Sequence, residues 1–360
     1  MKNAGIYIHV PFCVQKCLYC DFISFSEKEE YFSAYRNTLI SEIKVARAKN
    51  DKEISSVFIG GGTPTTLPSS YIKEIMKEIL KFHLAPNLEI TIEANPKTLS
   101  PDMLKSLKNS GINRLSIGLQ AWQDSLLETL GRAHTQKDFI KNYKDARKAG
   151  FNNINIDLMF SLPNQTIDMW RETLENVINL NPEHISLYSL IIEEDTPFFE
   201  LYKDIDENID REMYYLARDL LKQNGYLQYE ISNFSKPGFH SKHNVLYWER
   251  GNYYGFGVNS HSMFDNTRYS NTNDLEKYIK LDKFEPENVM KLSEKEIIEE
   301  TFILGLRMTS GVNIGKYFET YKNVIEKNIS LNLLKIENDK IFLTETGMDL
   351  ANMVMSDFIL

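Results

Sequence analysis

Strand-like apolar runs and amphipathic helical runs alternate through roughly the first 195 residues. Ile6–Phe12, Ser55–Gly60, Leu88–Ala94, Arg114–Gln120, Asn153–Phe160 and His184–Ile192 read as strands. Lys28–Ala48, Ser70–Phe82, Pro101–Asn109 and Asp168–Asn179 read as helices, with further helical segments up to Gly150. Ser100 is a good N-cap and Gly111 a good stop for the third helix. Parallel strands need long crossovers, so six strand-then-helix periods predict a parallel sheet covered by helices. Ligands of such folds sit at the C-terminal strand ends. The polar and glycine-rich clusters fall there: a cysteine loop after the first strand, Gly60-Gly61-Gly62-Thr63-Pro64-Thr65 after the second, then Glu93, Gln120 and Asp157.

The cysteines sharpen this picture. Cys13, Cys17 and Cys20 lie in PFCVQKCLYC, and no other cysteine occurs in the 360 residues. An odd, tightly spaced set does not read as a disulfide framework. Structural zinc is an alternative, but it wants four ligands from two separated pairs, and here there is one triplet. A [4Fe–4S] cube fits better: three thiolates hold three irons and leave the fourth open to an outside ligand. The CxxxCxxC spacing strongly resembles that of the radical S-adenosylmethionine (SAM) superfamily. That resemblance implies SAM chelating the open iron and an electron from the cluster cleaving it to a 5′-deoxyadenosyl radical. The glycine turn suits a backbone that approaches a ligand closely.

Beyond these motifs, YIHVPFCVQKCLYCDF, GGGTPT, EANP, GLQ, the downstream Gly131-Arg132 and NIDLMFSLP are similar to the HemN/HemW family from end to end. The resemblance places Tyr7, Tyr19, Gly61, Gly62, Thr63, Glu93, Gln120, Arg132 and Asp157 on the family's SAM-contacting positions. The chemistry agrees, since an arginine can hold a carboxylate bidentately and the acids and amide can accept from an ammonium or ribose hydroxyls. It implies an open parallel (β/α)6 partial barrel over residues 1–204, a connecting region over 205–280 and a smaller helical, winged-helix-like domain over 281–360. Within these, HNVLYWERGNYYGFG reads as an irregular aromatic stretch and LLKIENDKIFLTE as a hairpin.

The family holds an oxygen-independent coproporphyrinogen III dehydrogenase and a heme chaperone. The dehydrogenase type carries a further cysteine two places after the third cluster cysteine, where this chain has Phe22. It also has a long segment before the cluster loop, whereas Cys13 here follows twelve residues. The chaperone type carries H-N-x-x-Y-W, and this chain has His243-Asn244-Val245-Leu246-Tyr247-Trp248. The expectation is therefore a chaperone that binds heme and passes it to an acceptor protein. An electron donor such as a flavodoxin or ferredoxin is implied for the cluster. His243 offers an axial imidazole, Asn244 could orient it, and Tyr247 and Trp248 could pack on the porphyrin; His240 and His261 are nearby alternatives.

Net charge is −9, which argues against general affinity for nucleic acid or anionic membrane, leaving only peripheral membrane contact open. The last eighty residues, 281–360, hold 9 Lys and Arg against 14 Asp and Glu, so a DNA-binding winged helix is disfavoured. No apolar run is long enough for a conventional membrane helix, and MKNAGIYIHVPF lacks the apolar core of a signal peptide, so a cytoplasmic chain is expected.

Overall fold

The computed structural model describes residues 3–202 and 205–360, so the boundary expected at residue 204 lies outside the described residues. The six predicted strands are β1 (Asn3–Val10), β2 (Glu53–Gly61), β3 (Leu84–Ala94), β4 (Arg114–Gln120), β5 (Ile154–Phe160) and β6 (His184–Ser189). They lie side by side in chain order, and every neighbouring pair is parallel. The crossovers run through α1 (Phe32–Lys49), α2 (Ser69–Ile79), α3 (Pro101–Asn109), α4 (Asp124–Thr129), α5 (Gln136–Lys148) and α6 (Ile167–Leu180). Local signals set their ends. Ser100 accepts from Met103 N to start α3, Gly111 follows its end at φ +90°, and Thr135 with Asp138 forms a capping box on α5.

Alternate residues of each strand face outward to the helices and bury Ile6, Ile8, Val57, Ile59, Ile90, Ile92, Leu115, Ile117, Ile154 and Ile156 in one core. Trp170 of α6 is fully buried in it and donates from Nε1 to Met213 O at 2.8 Å, tying α6, past the short α7 (Pro197–Leu201), to α8 (Glu207–Gln223). The other strand face is unusual. Ser56, Glu89, Thr91, Arg114, Ser116, Asn155, His184 and Ser186 are all buried, so the barrel lumen is lined by polar groups.

Two readings of the sequence need correction. The strand expected over His184–Ile192 ends at Ser189, because Leu190 and Ile192 leave the sheet to pack with Leu126, Leu130 and Phe198 in a satellite core. The aromatic stretch HNVLYWERGNYYGFG, taken as irregular, is a helix and a strand: α9 (Lys242–Trp248) and, after the hairpin β7 (Leu227–Glu230) and β8 (Asn233–Ser235), β9 (Asn252–Phe256). Arg250 at φ +59° and Gly251, whose N–H donates to Leu246 O at 2.7 Å, stop α9. β9 then pairs with β1 in parallel, with Gly255 needed because a Cβ there would lie 2.0 Å from His261 O. Residues 205–280 therefore extend the barrel sheet at both edges and finish with the short α10 (Leu275–Ile279). The sheet has twelve strands in the order β12-β11-β10-β9-β1-β2-β3-β4-β5-β6-β8-β7, where β10 is His261–Phe264, β11 Thr267–Ser270 and β12 Glu287–Lys291. Among the described residues its outermost strands do not join, so the barrel stays open.

The C-terminal part has its own core around Phe302, Tyr321, Ile325, Ile341 and Phe358. It comprises α11 (Glu294–Gly305), α12 (Phe318–Ser330), two short last helices and a three-stranded sheet. The expected hairpin is present as Leu334–Glu337 and Lys340–Leu343, turned by Asn338 and Asp339 at φ +52° and +61°. No described helix is long and apolar enough to cross a membrane.

Candidate functional site at the C-terminal mouth of the barrel

The cysteine loop leaves β1 and is pinned on several sides. Phe25 N donates to Pro11 O at 2.7 Å, Leu18 N to Leu130 O at 3.1 Å, and Phe198 N to Leu18 O at 3.1 Å. Gln15 Nε2 reaches Gly131 O at 2.9 Å, and the His9 ring bonds Ile23 O at 3.0 Å. Gly131, at φ +69°, leaves no room for a Cβ, which would meet Leu18 Cγ at 2.8 Å. So the loop is held by the segments that follow β4 and β6, not by β1 alone.

Cys13 faces the glycine turn after β2. Its Sγ lies 3.7 Å from Thr63 Oγ1, and a Cβ on Gly62 would sit 3.0 Å from that sulfur and 2.7 Å from Phe12 O. Cys17 Sγ accepts from Arg132 Nη1 at 3.4 Å, and Arg132 Nη2 donates to Gly118 O at 2.9 Å. Burial pushes the Cys13 thiol up and the Cys20 thiol up to about 11, with each also feeling the charge of Cys17. These thiols thus need a positive partner to ionise, which iron supplies. Among the described residues no three His, Cys, Asp or Glu side chains close on one ion-sized point. A cube makes a different demand, because each thiolate binds a separate iron.

Above the lumen stand two carboxylates. Glu93, on β3, accepts from Gly61 N at 3.2 Å, and Gly60 must lack a side chain because a Cβ would lie 2.8 Å from Glu93 Oε2. Asp157, on β5, accepts from Ser116 Oγ at 2.9 Å and Asn155 Nδ2 at 2.8 Å. Burial, with the Asp157 charge, raises Glu93 to about 8; burial also raises Asp157. Gln120 ends β4 at φ +70°, beside a register shift, and its Nε2 would meet a Cβ on Gly118 at 2.8 Å. Tyr7 lies between this layer and the lumen, its hydroxyl 3.1 Å from His9 Nδ1, and Tyr19 packs edge-on against Phe198.

The His243–Trp248 segment lies elsewhere. His243 is only 1% exposed and plugs the opposite, N-terminal end of the barrel. Its Nδ1 pairs with Ser56 Oγ at 3.0 Å, its Nε2 with Tyr247 Oη at 2.9 Å, and its ring stacks on Phe58 at 5.3 Å. Burial lowers its pKa to about 3, so the ring is neutral. Asn244 does not orient His243; its backbone N–H bonds the Ser241 cap. Trp248 lies under Arg307 of the C-terminal part at 4.3 Å, with its Nε1 buried and unpartnered among the described residues. As the ring sits, iron reaches Nε2 only if the Tyr247 hydroxyl moves away. His240 is exposed and stacks on Tyr229 at 4.3 Å; His261 is exposed at the start of β10.

Comparison with known proteins decides the family. The Radical SAM superfamily pattern matches residues 7–177, and the HemN C-terminal domain pattern matches residues 292–350. The heme chaperone HemW of Bacillus subtilis (strain 168) is 37% identical over 100% of this chain and 99% of its own length. That of Lactococcus lactis subsp. lactis (strain IL1403) is 36% identical, covering 100% and 98%. The chain belongs to the HemN/HemW family of the radical SAM superfamily. Its fold matches the coproporphyrinogen III oxidase HemN of Escherichia coli with a TM-score of 0.85 over 99% of this chain and 90% of that one, at 23% identity.

The residues at the mouth fit the groups this HemN/HemW family implies. Arg132 keeps a buried Nε without a partner among the described residues, a donor left for a ligand. The Gly60–Gly62 turn forms a cradle that any Cβ would fill. Glu93 and Asp157 are half-buried acids, Glu93 senses the charge of Asp157, and neither has an ion-paired cation among the described residues. The sequence reading missed the supports: Ser116 and Asn155, which hold Asp157, and Arg114 below it. Their signal was the period of two along β4, where 114, 116, 118 and 120 share the lumen face.

Proposed function

We propose that the chain holds a [4Fe–4S] cluster on Cys13, Cys17 and Cys20, binds SAM beside it, and carries heme to an acceptor protein. The observation that carries the cluster-and-SAM part is the packing of Cys13 Sγ against the Gly62–Thr63 turn, whose neighbour Gly61 donates to Glu93. Such a cluster supplies an iron with an open coordination place and an electron. The chain's own groups have separable tasks. The glycine turn offers close backbone approach, Arg132 a guanidinium for a carboxylate, and Glu93, Gln120 and Asp157 acceptors for an ammonium and ribose hydroxyls. Tyr7, Tyr19 and Thr63 complete the wall.

The heme part is supported by full-length relatives that are named heme chaperones. Phe22, in place of the dehydrogenase type's extra cysteine, points the same way. A cavity of about 470 Å³ lies on the outer side of α9 at the N-terminal strand ends, bordered by His240, Lys242, Val245 and Leu246. It presents the His240 imidazole, the Lys242 ammonium and aliphatic surface to a porphyrin, with the Glu249 carboxylate also on its border. We assign His243 as the ligand of the heme-loaded form, reached when the Tyr247 hydroxyl leaves its Nε2.

The test is anaerobic titration with hemin, followed by the Soret band. Wild type is expected to bind one hemin per chain, His243→Ala to lose the band, and His240→Ala and His261→Ala to keep it. Equal binding by wild type and His243→Ala removes His243 as the ligand. The dehydrogenase reading is tested by coproporphyrinogen III with SAM and a reductant; formation of protoporphyrinogen overturns the preference for the chaperone.

A further inference from the structure

Beneath Asp157 the polar lumen carries one continuous chain of hydrogen bonds. Its far end is the backbone N–H of Ser241, the N-cap of α9, which donates to Tyr229 Oη of β7 at 3.2 Å. Tyr229 Oη pairs with His184 Nε2 of β6 at 2.8 Å, and His184 Nδ1 pairs with Asn155 Oδ1 of β5 at 2.6 Å. Asn155 Nδ2 reaches Asp157 Oδ1 and Ser116 Oγ, each at 2.8 Å, and Ser116 Oγ reaches Asp157 Oδ2 at 2.9 Å. His184 is fully buried, and Asn155 and Ser116 nearly so.

Each bond in the chain has a forced direction. A backbone N–H only donates, so Tyr229 accepts from Ser241, and the one acceptor left for its own proton among the described residues is His184 Nε2. Burial keeps the phenol protonated and pushes His184 well below the usual histidine range, so the ring is neutral with a single proton. That proton sits on Nδ1 and faces Asn155 Oδ1. The amide is thereby turned with its NH2 toward Asp157 and Ser116. The mouth end agrees, because a carboxylate only accepts and the reverse amide would set oxygen against oxygen. Ser186 Oγ, 3.1 Å from Asn155 Oδ1, cannot replace His184 as the donor. Its one proton goes to Asn233 Oδ1 at 2.7 Å, an atom fixed as acceptor because Asn233 Nδ2 donates to Glu230.

We infer that His184 is a positioning residue for the SAM site: by donating from Nδ1 it locks the Asn155 amide in the one orientation that donates to Asp157. With Ser116 on the other oxygen, both Asp157 oxygens are then held where a ligand meets them. His184 touches no ligand and acts through Asn155. This rests on the SAM reading above, in which Asp157 accepts from the ligand.

The experiment is calorimetric SAM titration of the cluster-loaded chain, run as a double-replacement cycle. A glutamine amide overlays Nε2 of the imidazole, so H184Q keeps a partner for Tyr229 and takes the donor from Asn155. An asparagine amide overlays Nδ1, so H184N keeps that donor. H184Q and N155A are each expected to weaken SAM binding about tenfold, and H184Q to add less than about twofold in the N155A chain. H184N is expected to stay within about threefold of wild type. A role in packing alone predicts the opposite order, because asparagine is smaller and leaves the larger void. Losses that add in the double variant overturn the inference; so do a larger loss in H184N than in H184Q, and an H184Q chain that binds as wild type does. Iron content and melting temperature check the fold. If H184Q does not fold, Y229F takes its place in the cycle, since it removes one oxygen and keeps the ring that stacks on His240 at 4.3 Å. Its loss is expected to be about threefold alone and absent in the N155A chain, and equal losses in both overturn the inference. Failure of wild type to bind SAM is a different result and defeats the SAM reading itself.

Discussion

Replacing Gly62 with alanine tests whether the turn after β2 is built for close approach. The new Cβ would sit 2.7 Å from Phe12 O and 3.0 Å from Cys13 Sγ. The first contact cannot be relieved cheaply, because Phe12 O already accepts from Thr63 N at 2.7 Å and Gly62 N is tied to Val10 O at 2.9 Å. The turn must therefore move away from β1, carrying Thr63 from Cys13. Overpacking of this kind costs about 1–3 kcal/mol. For a cooperative unit of barrel size, with an unfolding entropy near 2 cal/mol/K per residue, that is a fall in melting temperature of about 2–5 °C. SAM binding is expected to suffer more than folding, at least tenfold, because the displaced backbone is the one that faces the ligand. The assay pairs iron content and thermal melting of the reconstituted chain with calorimetric SAM titration. Gly225→Ala is the control: Gly225 sits at positive φ, +81°, and a Cβ there meets nothing within 4 Å, so it costs stability alone. A Gly62→Ala chain that binds SAM as wild type does would refute the reasoning.

Glu42 gives a pH prediction. It accepts from Tyr278 Oη, Asn271 Nδ2 and Gly257 N, and burial raises it to about 7. A raised carboxyl pKa makes the native state hold the proton that the unfolded chain has released, so stability falls as pH rises from about 4.5 toward 7, by about 3 kcal/mol at most. Urea unfolding against pH is expected to show that slope in wild type and to lose most of it in Glu42→Gln. Arg307 lies 3.7 Å from Glu230, which is fully buried and whose pKa burial raises. Arg307→Ala is expected to loosen the C-terminal part by about 1–3 kcal/mol at pH 8 and by less as pH falls and Glu230 takes up a proton; limited proteolysis reads this out. Trp170→Ala removes a fully buried ring and its bond to Met213 O, and a loss of about 3–5 kcal/mol is expected in the same unfolding assay.

Much of the fold was legible because its signals are local. The βα period, the Ser100 cap and the Asn338-Asp339 turn need no tertiary knowledge, and they place β1–β6 and the last hairpin close to where they lie. The mouth was legible for the same reason: parallel strands bring their C-terminal ends together, so Cys13, Thr63 and Glu93 had to meet. What escaped depends on distant partners. Tyr253 and Phe256 read as irregular aromatics until β1 offers an edge for β9. His243 reads as an open ligand, but Ser56 and Tyr247 take both of its nitrogens, and residues so far apart in sequence leave no local trace. Arg114 reads only as the first residue of a strand, and the fold shows it to be buried in the polar lumen.

The claim on which the rest stands is that the three thiols hold a cube with one iron free for SAM. Mössbauer spectroscopy of the anaerobically reconstituted chain, recorded before and after SAM is added, tests it directly. The account predicts a four-iron cluster in which one iron changes its parameters with SAM while the other three do not, and loss of the cluster when Cys13, Cys17 and Cys20 become serine. A cluster indifferent to SAM, or a metal centre that survives the triple replacement, contradicts it.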